Sequence, residues 1–398
     1  MRLLVHSYVP ISPFFDGAGH RLNHLIPSLT KVFDCDLIQE RWKWESNAKP
    51  LIVEKGSDQF LINHFKSVLN VYHRSNENPS YSWVYKSNEL EILLYKLIKT
   101  GNYDAIFSGN DTLPIYLSND LKIPVIIGGT DSMHLHYKRS LINSHGFLQK
   151  KLILYRWISY FFYQWFELRR IKYWVMISKP DINSMKPHLK YCKFEVIPNG
   201  VDMDYFSNPE NESHQPRSLV FIGTLGENSP NEVALEWFIK KVWGKVNSKL
   251  PEVTLSIIGP RCSTRLQSIC SVERNILIMG YIPDVRPYYW NSGIFVLPMQ
   301  SGAGVKNKAL EAWASGCAVV STSLGMEGIA YAKNGNNVLI ADEPNEFSNL
   351  LISIINDKEK QRKLGIAGRE IVKNHFSWDS IGSDLCNFIT NVIDEQSK

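Results

Sequence analysis

A chain of 398 residues is long enough for two domains, each burying its own core. A hydrophobic share of 44% and a charged share of 21% are those of a globular protein, and a net charge of +5 is too weak to argue for nucleic acid. The six cysteines form no CxxC pair and have no histidine at zinc spacing, so they are expected to be reduced thiols of a cytoplasmic protein.

The N-terminal MRLLVHSYVP has a five-residue apolar run and then polar residues, which predicts a first strand rather than a signal peptide. Further short apolar runs follow at 104–108, 123–128, 173–178 and 194–198. A second series occupies 219–223, 253–259, 275–280, 293–298, 317–322 and 337–341. Helical patterns such as EVALEWFIKKVWGKV, 232–246, lie between most of them. Fully apolar strands alternating with helices predict parallel sheets covered on both faces. The polar stretch NPENESHQPRS, 208–218, reads as a linker between the two series. The fold class is therefore α/β, two doubly wound domains in tandem, with ligands expected in a cleft at the carboxyl ends of their strands.

In the first half, FFDGAGHRLNHLI at 14–26 reads as a glycine-rich loop entering a helix. Gly17 and Gly19 would let it approach phosphates or an acceptor and Arg21 would add charge; an ordinary β–α turn fits the same residues. Residues 149–174 hold six basic residues against one acidic and are dense in Trp, Tyr and Phe. Their apolar core is short for a membrane span. A helix lying on an anionic membrane fits this composition, and so does a buried helix with a basic rim.

SGAGVKNKALEAWASG, 301–316, reads as a glycine-rich turn opening a helix that stops at Gly316. Lys306 and Lys308 stand in its first turn, where the helix dipole already presents positive charge, so an anion is expected there. A diphosphate suits two lysines beside Gly302 and Gly304. Lys308, Glu311 and Ser315 share one helical face, and a carboxylate one turn beyond a diphosphate is placed to accept from sugar hydroxyls. A solvated lysine-rich turn above a buried face of Val305, Ala309, Ala312 and Trp313 is the plainer reading. The stretch is neither a Walker sequence nor GxGxxG.

GAGVKNKALEAWASGCAVVSTSLGMEGI resembles the nucleotide-binding segment of family 4 glycosyltransferases, retaining enzymes of the GT-B fold. VIPNGVDMDYF at 196–206, FIGTLGENSPNEVALEWF at 221–238, GYIPDVRPYY at 280–289 and HFSWDSI at 375–381 resemble further motifs of that family in the same order. IIGGTDSMHLHYKRS and the helix after it resemble the family's bacterial polysaccharide branch. The resemblance implies an acceptor-binding Rossmann-like domain over 1–200, a nucleotide-sugar domain over 201–376, and a last helix, 377–398, packing back on the first. It implies that Glu311 accepts from ribose hydroxyls and that Gly302, Ala303, Gly304 and Val305 contact donor sugar and phosphates. Gly223 and Thr224 would touch the phosphates, and the backbone of Tyr281 and Ile282 would read the base. Pro283 and Asp284 fit an ordinary turn. Many relatives carry a glutamate where this chain has Ala303, and a His-Asp pair where it has Thr130-Asp131. Asp131 is then expected to bind donor or acceptor hydroxyls, with His134 and His136 as substitutes for the missing histidine.

The chemistry implied is retaining transfer from a UDP- or GDP-linked sugar to a glycan or lipid-linked acceptor, in the cytoplasm or at the inner face of the membrane. Breaking the anomeric C–O bond builds negative charge on the leaving diphosphate, and fixed cations with helix N–H groups stabilise that charge most in the transition state. Asp131, Lys306, Lys308 and Glu311 are the catalytic candidates. DCD at 34–36 and DMD at 202–204 lack the context of a metal-binding carboxylate pair, so no metal and no cofactor is expected. A non-catalytic nucleotide-sugar-binding subunit and a GT-B-shaped epimerase are the alternatives.

Overall fold

The computed structural model describes residues 1–8, 17–43, 54–55, 64, 66–74, 88–128, 131–143, 146–207, 217–302 and 304–397. By its contacts the chain divides into two units, Met1–Asn199 with Trp378–Lys398, and Gly200–Ser377.

The first unit is built on an eight-stranded sheet. Its strands are β1 (Arg2–Ser7), β2 (Asp34–Lys43), β3 (Glu54–Lys55), β4 (Ser67–Arg74), β5 (Ala105–Ser108), β6 (Val125–Gly128), β7 (Tyr173–Met176) and β8 (Lys193–Val196). Their order is β3-β4-β2-β1-β5-β6-β7-β8, and every pairing is parallel except the short β3 against β4. Every residue of β5, β6 and β7 is buried, because helices cover both faces. The helices are α1 (Gly17–Val32), α2 (Asn88–Gly101), α3 (Met133–Asn143), α4 (Phe147–Phe166) and α5 (Lys179–Met185).

β2 and β4 escaped the apolar-run reading. Asp34–Lys43 carries Asp36 and Glu40 on a buried strand, and only their partners make that tolerable. Asp36 accepts from Arg2, Ser67 and Tyr103, and Glu40 pairs with His6 at 3.0 Å. The basic, aromatic run 149–174 is α-helical only to Phe166, followed by a 3₁₀ turn at Leu168–Arg170; Tyr173 and Trp174 belong to buried β7.

The second unit has a six-stranded, all-parallel sheet of order β11-β10-β9-β12-β13-β14. Its strands are β9 (Ser218–Ile222), β10 (Thr254–Ile258), β11 (Ile276–Gly280), β12 (Ile294–Leu297), β13 (Ala318–Ser321) and β14 (Leu339–Ile340). α6 (Met203–Phe206), α7 (Pro230–Phe238), α8 (Gly244–Lys249), α9 (Thr264–Ser271), α10 (Arg286–Ser292), α11 (Asn307–Ala314), α12 (Pro344–Ile355) and α13 (Lys358–His375) accompany it. The 232–246 pattern is one helical path broken by a π turn at Ile239–Trp243. All eleven apolar runs overlap a strand.

The polar stretch 208–218 is not the boundary between units. Val201 already bridges Ser377 and donates its N–H to Phe376 O, and Trp290 Nε1 donates to Phe206 O, so α6 belongs to the second unit. Residues 208–216 lie outside the described set. The last helix, α14 (Trp378–Gln396), packs on α1 in the first unit, where Ile381, Leu385 and Ile389 join its core.

Candidate functional site

The anion site expected around residue 301–316 lies at the carboxyl end of β12 in the second unit. Gly302 and Gly304 have φ of +103° and +72°, a region glycine enters without strain, so the loop turns sharply into α11. Ala303 lies outside the described residues. α11 begins two residues later than expected, at Asn307, so Lys306 is its N-cap rather than part of its first turn, in extended conformation and with no side-chain cap. Other helices here are capped, α7 by Ser229 and α9 by Ser263. Lys306 is buried and its Nζ donates to Gly304 O at 2.7 Å, bracing the loop. Val305 packs beneath against the core.

Lys308 is the unusual group. Its ammonium donates to Asn231 Oδ1 at 2.7 Å and lies 4.8 Å from the centre of the Phe221 ring. Burial pushes its pKa down to about 8; Glu311 opposes that shift and Lys306 adds to it. Glu311 accepts from Tyr289 Oη at 3.0 Å, and burial raises its pKa against the pull of Tyr289 and Lys308. Ser315, one turn on, is buried with its hydroxyl unpartnered. A buried cation beside an uncapped helix terminus is costly when empty and suited to an anion.

Gly223 belongs to this site by close approach. A Cβ there would stand 2.4 Å from Lys308 Nζ. Its N–H, however, donates to Ile258 O, so it is no phosphate donor: the sheet ladder uses it first. Thr224 is exposed, and its carbonyl accepts from Asn231 Nδ2 at 2.7 Å. Asn231, which the sequence reading passed over, therefore ties the β9 loop to Lys308. Tyr289 was likewise missed. Only its partner on α11 distinguishes it from an ordinary core tyrosine.

Tyr281 and Ile282 follow β11, and among the described residues neither enters a backbone–backbone hydrogen bond. Asp284 forms the expected turn, accepting from Arg286 N and pairing with its guanidinium at 2.6 Å. Asp202 of DMD is simply the N-cap of α6.

The first unit corrects three expectations. Gly17 and Gly19 stand within α1, not in a loop before it. Arg21 is 4% exposed and donates to the carbonyls of Ile197 and Pro198 and to Asn199 Oδ1, each at 2.7 Å. A guanidinium so committed secures the chain after β8 and is withdrawn as a donor ligand. His134 is no substitute base: Trp157 Nε1–H donates to its Nδ1 at 2.9 Å, which leaves Nε2–H to donate to Gln164 Oε1. Burial lowers its pKa and holds it neutral. His136 and Asp131 are exposed. Asp131 sits just ahead of α3, next to Ser132, whose N–H donates to buried Asp181.

Two doubly wound units, the second with a glycine-bordered, uncapped helix terminus and a buried lysine, define a GT-B protein. Residues 216–357 match the family model "Glycosyl transferases group 1". It is 26% identical over 267 residues to an uncharacterised 44.6 kDa protein of the cps region of Klebsiella pneumoniae, covering 63% of this chain and 64% of that one. It is 26% identical over 212 residues to a GDP-mannose-dependent monoacylated alpha-(1-6)-phosphatidylinositol monomannoside mannosyltransferase of Corynebacterium glutamicum, covering 49% and 56%. The matches thus span less than two thirds of either relative. Among solved structures, Anabaena HepE in complex with UDP superposes with a TM-score of 0.63 at 13% identity, covering 98% of this chain and 100% of that one.

Proposed function

We propose that this protein is a retaining glycosyltransferase that moves a sugar from a UDP- or GDP-linked donor to a glycan or lipid-linked acceptor. The observation that carries this reading is the pair of lysines at the uncapped start of α11 behind the Gly302 and Gly304 turn: Lys306 buried, and Lys308 half-buried with its pKa drawn down to about 8 by desolvation. Lys308 and Lys306 take the diphosphate, Glu311 the ribose, and the loop from Gly302 to Val305, Ala303 included, the donor sugar. Thr224 borders the phosphates and the backbone of Tyr281 and Ile282 faces the base. The first unit takes the acceptor, with Asp131 on sugar hydroxyls. As the anomeric C–O bond breaks, its electron pair goes to the diphosphate. The acceptor oxygen bonds to the same face of the sugar and its proton passes to the leaving phosphate. The cations act on charge that peaks in the transition state, without a metal. The names of the relatives, a mannosyltransferase using GDP-mannose on a phosphatidylinositol mannoside and a protein of a cps region, support surface polysaccharide or glycolipid assembly at the inner face of a membrane.

Thermal shift with UDP, GDP and ADP in the presence of EDTA tests the donor site. One nucleotide at ~100 times its Kd is expected to stabilise the fold by about 2.7 kcal/mol. No shift with any of the three overturns the assignment.

Asn231→Leu is expected to weaken that nucleotide about 10-fold, by leaving Lys308 without its acceptor. Asn231→Asp keeps the acceptor and adds negative charge, so Lys308 stays protonated, and binding persists, to higher pH. Calorimetric titration from pH 7 to 9.5 checks both. Wild-type affinity in Asn231→Leu together with an unmoved profile in Asn231→Asp denies Asn231 a positioning role.

A further inference from the structure

We infer that the outer face of α4 is an in-plane anchor for an anionic lipid bilayer. The helix's rotation is set by polar contacts on its inner side. Tyr160 Oη donates to Asp111 Oδ2 at 2.9 Å, Tyr163 Oη donates to Asp111 O, and Trp157 and Gln164 hold His134. Only Tyr160, Tyr163 and Gln164 of its twenty residues are buried. The opposite side is therefore held outward, and apart from Lys151 it is largely apolar. Leu148 is 80% exposed, Tyr155 68% and Trp165 51%, with Ile158, Phe162 and Phe166 exposed beside them. Spacings of seven, three, four and three residues align the first five of these on one stripe. A stripe of this size is exceptional on a surface that meets only water.

The charge around the stripe selects the partner. Lys151 Nζ lies 4.5 Å from the Phe147 ring centre at one end, and the Arg169 guanidinium 5.0 Å from Trp165 at the other. Lys150 is exposed near the first. The single acid of the segment, Glu167, is ion-paired to Arg170 at 2.9 Å. Cations on long stems beside aromatic rings, flanking an apolar stripe, suit lipid headgroups above acyl chains. A second copy of this chain would bring the same cations against themselves. Among the described residues no helix is long and apolar enough to cross a membrane, and at 20 residues α4 would lie about 30 Å along the surface.

This inference deepens the reading of an acceptor at a membrane and rests on it only for its purpose, since vesicle binding is measured without transfer. The full chain is sedimented with vesicles of phosphatidylcholine alone or with one quarter phosphatidylglycerol. Binding to the anionic vesicles at least 10-fold above the neutral ones is expected. Ile158→Asp with Phe162→Asp should lose it at least 10-fold. Lys150→Glu, Lys151→Glu and Arg169→Glu together should remove the preference for anionic lipid. Both variants should keep the nucleotide thermal shift, which shows that they fold. No binding to anionic vesicles, equal binding to neutral ones, unaffected variants, or a wild-type dimer that Phe162→Asp dissociates would each overturn the anchor. Failure of sugar transfer with intact vesicle binding would strike the catalytic reading instead.

Discussion

Lys308→Met is expected to raise the melting temperature of the nucleotide-free protein while weakening its nucleotide at least ~30-fold, the ~2 kcal/mol floor for truncating one side of a buried charge pair. Both effects have one cause. Burial lowers the ammonium's pKa from 10.5 to about 8, so the empty fold disfavours the charged form. The sign follows from proton binding. Between pH 8 and 10.5 the unfolded chain holds more protons on this residue than the folded one, so its contribution to stability rises with pH across that window. Below pH 8 the penalty is full, on the order of 3 kcal/mol. Methionine keeps the stem and removes the charge. Binding runs the other way. A diphosphate needs the ammonium, so wild-type affinity should fall as pH rises through 8, and the Met variant should lose that dependence. Calorimetry at pH 7 and pH 9, with melting curves of both proteins, checks this. A destabilised variant that binds normally would mean that Lys308 is merely structural.

Glu311→Gln is expected to weaken the nucleotide roughly 10- to 100-fold, the worth of a charged hydrogen bond to ribose, with little change in melting temperature. Gln keeps an acceptor for Tyr289 Oη. Glu311→Ala removes it and should cost a further ~1–3 kcal/mol of stability, from a buried hydroxyl left unpaired. The pair of variants thus separates recognition from folding. Glu311 also raises the pKa of Lys308, so residual binding in Glu311→Gln should decline at lower pH than in wild type. Affinity in Glu311→Gln equal to wild type at every pH would remove ribose recognition from this carboxylate.

The strands were readable because a parallel strand covered on both faces must be apolar, as VIIG and IFVL are. β2 was not, since Asp36 and Glu40 are acceptable inside only beside Arg2, Tyr103 and His6, which come from elsewhere in the chain. The same division runs through the site. The glycine pair at 302 and 304 and the shared face of Lys308 and Glu311 are local facts of turn and helix geometry, and the sequence determined them alone. Which polar side chains are spent on the protein was decided only in three dimensions. Arg21 meets carbonyls some 176 residues away, His134 is locked between Trp157 and Gln164, and Lys308 is drawn to Asn231, 77 residues distant. Charge pairing and desolvation depend on separation and burial in space, and neither can be read from spacing along a chain.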